Sequence, residues 1–332
     1  DVFSFFSKKT SHVIPQVLMP PMMSNKNNYI VSLGELCGWL SKEAENLGVE
    51  IYPGFSAQEP IFNDKNQLIG IVTGDMGRDA EDNETANFVQ GIEIHAKYSL
   101  IAEGTRGSIT KKIEQKLLLR EKSDPQKYGL GFKEVWRLKK GHHNSGQIEH
   151  SLGWPLENDT GGGSFIYHYD EDLVSLGFVV HLDYSNPHLS PHGEFQKFKT
   201  HPKIKKLLDG AERLSYGARA LNEGGIQAWP DLAFSGGIFI GCCAGMINVP
   251  KIKGSHNAMK SGMLGAEAAV EAILYSEKIS NKILFNYEDK IKNSWVWDDL
   301  YSVRNIKPLI SKFGTRFGML LGGIEMWAAS FK

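Results

Sequence analysis

A chain of 332 residues is long enough for two domains or one large interleaved one. Its 41% hydrophobic and 23% charged content suits a globular protein with a sizeable core, and a formal net charge of -1 offers no electrostatic footprint for nucleic acid. Three cysteines (Cys37, Cys242 and Cys243) exclude a disulfide scaffold, exclude a four-cysteine metal or iron–sulfur site within the chain, and point to a reducing compartment.

The N-terminus carries no signal-peptide core and no Arg-rich transit pattern, and it reads as a piece that begins inside a longer protein. Residues 12–24, HVIPQVLMPPMMS, are apolar, rich in proline and without helical period. They read as a buried connector or as a hairpin dipping into a membrane surface. Ser32 and Glu35 make a capping box. Leu33, Leu36, Cys37, Leu40, Ala44 and Leu47 then recur at helical spacing up to Gly48, which predicts a helix with Cys37 in its core face. VEIYPG is expected to be a strand. EPIFNDKNQLIGIVTGDMG is expected to be two strands about a polar turn, and RDAEDNETANF a disordered insert.

YSLIA is an apolar strand running into Gly-rich EGTRG and a polar helix. Period-2 runs at FKEVWRL, GSFIYHY and SLGFVVHLDY predict an antiparallel sheet. A polar helix is expected over 192–210. The short strand GGIFIG feeds GCCAGMINVPKIKGSHNAMKSG, and a long helix starts at Ser255 with Met259, Met263, Ala266, Val270 and Ile273 on one face. The last segment, 313–330, is apolar but broken by glycines. It is too short to span a bilayer, and reads as a docked helix or one lying in the interface with Trp327 at headgroup level.

Both strand–glycine–helix units present backbone N–H groups and a positive dipole end. That suits phosphate or the electron-rich edge of a reduced flavin ring. Each alone reads as an ordinary tight turn. As a pair separated by an antiparallel sheet they fit a two-domain flavoprotein. The first dinucleotide fingerprint, G-x-G-x-x-G, does not occur in the chain.

Five stretches resemble the electron-transfer flavoprotein:ubiquinone oxidoreductase family: NNYIVSLGELCGWLSKEAENLGVEIYPGF, GWPLENDTGGGSFIYH, LSYGARALNEGG, MINVPKIKGSHNAMKSGMLGAEAA and KNSWVWDDLYSVRNIKP. The resemblance implies a mixed α/β, FAD-dependent two-domain flavoprotein of the glutathione-reductase/hydroxylase type, with an interleaved antiparallel-sheet quinone domain. It implies a monotopic membrane enzyme of the bacterial cytoplasmic or mitochondrial inner membrane. Its partners would be electron-transfer flavoprotein, itself fed by acyl-CoA dehydrogenases, and ubiquinone. FAD would be its cofactor, with a [4Fe–4S] cluster in the complete protein whose ligands lie outside this chain.

By the same resemblance, Glu103, Gly104 and Gly107 lie near FAD. Gly241, Cys242, Gly245, Met246, Pro250, Gly254, Ser255, His256 and Asn257 run along its ribityl chain and ring. Gly162 and Gly163 would bind a quinone carbonyl through their backbone. The expected division is FAD domain at 1–120, quinone domain at 121–225, FAD-domain return at 226–280 and C-terminal helices at 281–332, with membrane contact at 12–24 and 317–327. Gly161 departs from the family's usual Tyr, and GCCAG from its usual GCSPG. Arg219 reads as a buried charge at the domain junction or as a partner of Glu223. Two rival readings are a geranylgeranyl-reductase-like or FixC-like flavoprotein and a non-catalytic membrane-binding fragment.

Overall fold

The computed structural model describes residues 1–275 and 284–331. It divides into two compact units that interleave along the chain: Asp1–Leu40, Lys127–Glu223 and Ser302–Lys332 in the first, Ser41–Gln126 and Gly224–Tyr301 in the second. The expected boundaries ran in chain order. The contacts instead group residues 1–40 and 302–332 with the central sheet. The expected boundary at 280/281 lies outside the described residues.

The first unit is a seven-stranded sheet of β1 (Val2–Phe6), β2 (Ser11–Ile14), β9 (Tyr128–Arg137), β10 (Ile148–Gly153), β11 (Gly162–Tyr169), β12 (Leu173–His181) and β13 (Glu212–Asn222), ordered β13-β9-β12-β11-β10-β1-β2. Every pairing is antiparallel except β1 with β10. Alternate residues of β12 and neighbouring strands (Val174, Leu176, Phe178, Val180 and Ile166) face a core closed by Phe195, Phe198 and Ile204. The last three come from two helices, α3 (Pro191–Lys199) and α4 (Pro202–Leu207), where one was expected. Pro202 lacks an N–H and holds His201 extended (ψ 135°), so the chain must restart, capped by His201 Nδ1.

α8 (Ile306–Ala329) is kinked at Gly314, whose φ of 76° is open to glycine, and a Cβ there would lie 2.5 Å from Asn158 Nδ2. Val303, Ile306 and Met326 pack with Met22 and Met23, and Trp327 Nε1 donates to Leu18 O at 3.1 Å. The two apolar irregular segments are thus neighbours. Val13, Val17 and Leu18 from one, and Phe317, Leu320 and Ile324 from the other, remain exposed. No helix among the described residues is long and apolar enough to cross a membrane.

The second unit has a small sheet in the order β14 (Ala233–Phe234), β15 (Gly237–Phe239), β8 (Ser99–Ile101), with β8 and β15 parallel. A second sheet joins β3 (Ala57–Phe62), β4 (Leu68–Thr73) and β7 (Glu93–His95). The expected disordered insert is an ordered hairpin of β5 (Met76–Arg78) and β6 (Glu84–Val89), held at its turn by Asp79 accepting from Asn83 N at 2.8 Å. VEIYPG is not a strand.

Two helices correct the periodicity reading. α1 (Leu33–Asn46) buries no residue, and Cys37 is exposed rather than core. Spacing reveals which face is apolar, not whether anything packs on it. α5 (Ser255–Leu274) buries Ser261, Leu264, Gly265, Ala268, Ala269 and Ala272 and leaves Met259, Met263, Val270 and Ile273 outside. A Cβ at Gly265 would lie 2.6 Å from Ile238 Cδ1, so the helix needs its small-residue face to lie close on β15.

Candidate functional site

β8 ends at Ile101 and β15 at Phe239, and these two residues are paired. Parallel pairing sends the loops that follow, 102–107 and 240–254, out of the same carboxyl end of the sheet. In open α/β sheets that is where ligands bind.

The first loop closes on itself. Glu103 reaches over to α2 (Ser108–Leu117), where Oε1 accepts from Ile109 N at 3.2 Å and Oε2 from Thr110 N and Thr110 Oγ1, both at 2.7 Å. This carboxylate serves the first-turn N–H groups that the Gly107 N-cap cannot. A Cβ at Gly107 would overlap Glu103 Oε2. Gly104 has φ 76° with open space where a side chain would stand, so only its backbone faces outward.

Thr110 also binds the second loop. Its Oγ1 lies 2.9 Å from Cys243 Sγ. Its one hydroxyl proton goes to Glu103, so the cysteine S–H donates to Thr110. Cys243 is buried in the core of this unit, and burial pushes its thiol up to about 12. That makes Cys243 a structural thiol joining the two loops, an assignment that the residue pattern did not supply. Burial likewise raises Cys242.

The second loop is held from behind. Gly241 (φ 60°) donates its N–H to Ser261 Oγ at 2.9 Å, and Gly245 (φ 91°) accepts from Trp229 Nε1 at 3.4 Å. Met246 is wholly buried in the core. Asp299, on α7 (Trp295–Tyr301), which follows α6 (Asn286–Lys292), then gathers the rest. It accepts from Lys251 Nζ at 2.6 Å, Asn248 Nδ2 at 3.1 Å, His256 Nε2 at 3.2 Å and Asn257 Nδ2 at 3.2 Å. Burial alone would raise this carboxyl. The hydrogen bonds from His256 and Lys251, with the Lys251 charge, outweigh it and hold Asp299 well below the usual carboxylate range. His256 also stacks on Trp295, centroids 5.5 Å apart and rings 6° from parallel. No motif in the sequence singled out Asp299, because its partners lie 42 to 51 residues away.

The α5 N-terminus differs from that of α2. Gly254 is its N-cap, no side chain caps it, and no acidic residue stands in its first turn. The buried Asn257 Oδ1 has no hydrogen-bond partner among the described residues. Uncapped N–H groups and a dipole end beside glycines fit an electron-rich cofactor edge such as that of a flavin, while the orphaned amide oxygen calls for a donor such as a ring N–H. Ser255, His256 and Asn257 are brought together here, with Pro250 and Gly254 in the loop before them.

Gly162 and Gly163 belong to the other unit, at the start of β11. A side chain at Gly162 would overlap Val179 O, and a Cβ at Gly163 would lie 2.5 Å from Ser151 O. Close approach of β10 and β12 therefore requires both glycines. Next to them a Cβ at Gly161 would overlap the imidazole of His181, and the backbone N–H of His181 donates to Gly161 O at 3.0 Å. Lys307 Nζ donates to His181 Nδ1 at 3.0 Å and to Asp183 Oδ1 at 2.8 Å, and Glu223 Oε1 lies 3.5 Å from His181 Nε2. Arg219 is exposed; the buried titratable groups of this region are Glu223, His181 and Lys307. Among the described residues no group of three or more His, Cys, Asp or Glu could hold a metal ion.

The fold defines the class. A flavin-dependent brominase superposes with a TM-score of 0.62 at 15% identity, covering 99% of this chain and 76% of its own. A geranylgeranyl bacteriochlorophyll reductase-like protein from Thermoplasma acidophilum superposes with a TM-score of 0.63 at 14% identity, covering 89% of this chain and 72% of its own. The chain has the mixed α/β fold of FAD-dependent proteins.

Residues 128–221 match the family model for the ubiquinone-binding region of ETF-QO. Along 98% of its length the chain is 47% identical to the human mitochondrial electron transfer flavoprotein-ubiquinone oxidoreductase, covering 54% of that protein. It is 46% identical to the Pseudomonas aeruginosa enzyme over 95% of the chain and 57% of that protein. The chain belongs to the electron transfer flavoprotein-ubiquinone oxidoreductase family and spans about half the length of these relatives.

Proposed function

We propose that this chain is the flavin- and quinone-handling part of an enzyme that passes electrons from reduced electron-transfer flavoprotein to ubiquinone. The observation that carries the reading is the uncapped α5 N-terminus, at the same sheet end as the Glu103–Gly107 loop, in a chain 47% identical to such enzymes. Gly104, Gly241, Gly245 and the turn Gly254–Asn257 would hold FAD, chiefly through backbone groups. Bound FAD supplies the electron transfer itself. The chain's own residues bind and orient. The α5 N–H groups favour negative charge on whatever edge lies against them. Asp299 holds His256 and Asn257 at that edge.

The quinone carbonyl would be received at Gly162 and Gly163, within the stretch that matches the ubiquinone-binding model. The apolar patch of Val17, Leu18, Leu320 and Ile324 supports contact with a membrane surface, from which an apolar quinone would come. The complete protein would also carry the [4Fe–4S] cluster.

The test is direct. The full-length, FAD-loaded protein should reduce a short-chain ubiquinone with reduced electron-transfer flavoprotein as donor; no reduction would refute the reading. Liposome flotation checks the membrane part. Changing Val17, Leu18, Leu320 and Ile324 to Asp should release the protein, and unchanged flotation would count against this surface.

A further inference from the structure

We propose that Asp183, Lys307, His181 and Glu223 form a buried proton relay serving quinone reduction at the Thr160–Gly163 loop, an inference that rests on the quinone reading above. Reducing a quinone to a quinol takes two electrons, here from the reduced flavin, and two protons, which a dry site must import.

The four side chains run from surface to interior. Asp183 is 25% exposed, Lys307 and His181 are each 7% exposed, and Glu223 is 2% exposed. Lys307 Nζ can only donate, so His181 Nδ1 is the acceptor of their 3.0 Å bond, and the ring proton sits on Nε2. Nε2–H faces Glu223 Oε1 at 3.5 Å. Lys307 closes the outer end on Asp183 at 2.8 Å. Beyond Asp183 stand Ser311, donating at 2.8 Å, and Lys127 at 3.7 Å.

Glycines flank the inner end. A Cβ at Gly129 would overlap Glu223, and one at Gly161 would overlap His181. The imidazole therefore occupies the volume that a side chain at residue 161 would fill, and it backs directly onto the proposed quinone loop. Among the described residues Glu223 Oε2 has no hydrogen bond, and it lies 3.9 Å from Lys307 Nζ. A buried carboxyl oxygen without a donor is a place to keep a proton.

Burial pushes Glu223 up to about 8, against the pull of the Lys307 charge, and pushes His181 down to about 3. At neutral pH the cluster is then a Lys307–Asp183 ion pair, a neutral imidazole and a protonated Glu223. When Glu223 gives its proton to the reduced quinone, His181 Nε2–H replaces it. Nδ1 takes one from Lys307, and Lys307 is refilled through Asp183 from solvent. Each group gives one proton and receives one. One such cycle supplies one quinol proton and leaves the ring proton on Nδ1; reorientation of the imidazole, returning an N–H to the Glu223 side, resets the relay for the second.

The experiment compares full-length, FAD-loaded wild type with Glu223→Gln. Reduction of a short-chain ubiquinone and of ferricyanide, which accepts an electron without a proton, is followed across the pH range that brackets Glu223's titration. Wild-type quinone reduction should fall as pH rises through about 8. Glu223→Gln should lose at least roughly tenfold in quinone reduction and lose that alkaline limb, with the ferricyanide rate unchanged. A variant matching wild type in rate and profile would overturn the relay alone, as would equal loss with both acceptors. Wild type that reduces ferricyanide but no quinone would overturn the quinone reading and the relay with it. Should Glu223→Gln fail to fold, infrared titration of wild type decides: a protonated buried carboxyl that ionises near 8 supports the relay, and its absence refutes it.

Discussion

The two glycine loops of the second unit leave paired parallel strands, and each enters a helix, yet they solve the helix N-terminus in opposite ways. At α2 the protein supplies its own anion: the Glu103 carboxylate takes two backbone N–H groups and the Thr110 hydroxyl. At α5 the acid stands behind the loop. Asp299 binds the side chains of Lys251, His256 and Asn257 and leaves the first-turn N–H groups uncapped. The same backbone device is a finished structural joint in one place and an open helix end in the other, and the placement of one carboxylate decides which.

Asp299→Ala should have the largest effect on this contrast. It strands Lys251 and the amides of Asn248 and Asn257 around an empty centre, and loss of a buried partner of this kind costs about 3–5 kcal/mol. A fall in Tm accompanied by flavin loss checks it. Intact flavin binding would show that the α5 turn holds its shape without the anchor. The pH dependence has a definite sign. Because Asp299 is depressed in the folded state, its contribution is complete above the ordinary carboxylate pKa of about 3.9 and is lost as pH falls through the lower native value. Acid unfolding of Asp299→Asn should lack that component.

Glu103→Ala should cost less, about 1–2 kcal/mol, the scale of a lost helix cap. Gly107→Ala should cost a similar amount by displacing the same carboxylate. Equilibrium denaturation measures both, and if the α2 loop is purely structural, flavin affinity should change less than in Asp299→Ala.

Thr110→Val leaves the Cys243 thiol without its oxygen partner, for an expected loss of about 1 kcal/mol. Thiol labelling followed by mass spectrometry sharpens the point. Native protein should react at Cys37 and spare Cys243 until it unfolds, because the first is exposed and the second buried with a raised pKa. The smallest effect belongs to Cys37→Ser, within about 0.5 kcal/mol on the exposed face of α1.

Local signals carried far along this chain. Alternation located β9, β11 and β12. The polar turn at 63–67 placed the β3–β4 hairpin. YSLIA followed by EGTRG, and GGIFIG followed by GCCAG, marked both strand-to-helix loops. Those features depend on neighbours within a few residues, where glycine, turn chemistry and side-chain period act directly on the backbone. The long quoted stretches were equally sufficient for the family, since identity runs along 98% of the chain.

Tertiary structure alone decided the rest. It placed residues 1–40 and 302–332 with the central sheet, exposed Cys37, buried the small-residue face of α5, and made Cys243 the joint between two loops. It also gathered Asp299 with a loop more than 40 residues distant and Lys307 with His181 across 126. The physical reason is common to all of these. A periodic pattern reveals a face but not its partner, and a carboxylate or thiol has no set role until the fold shows which donors, charges and water surround it.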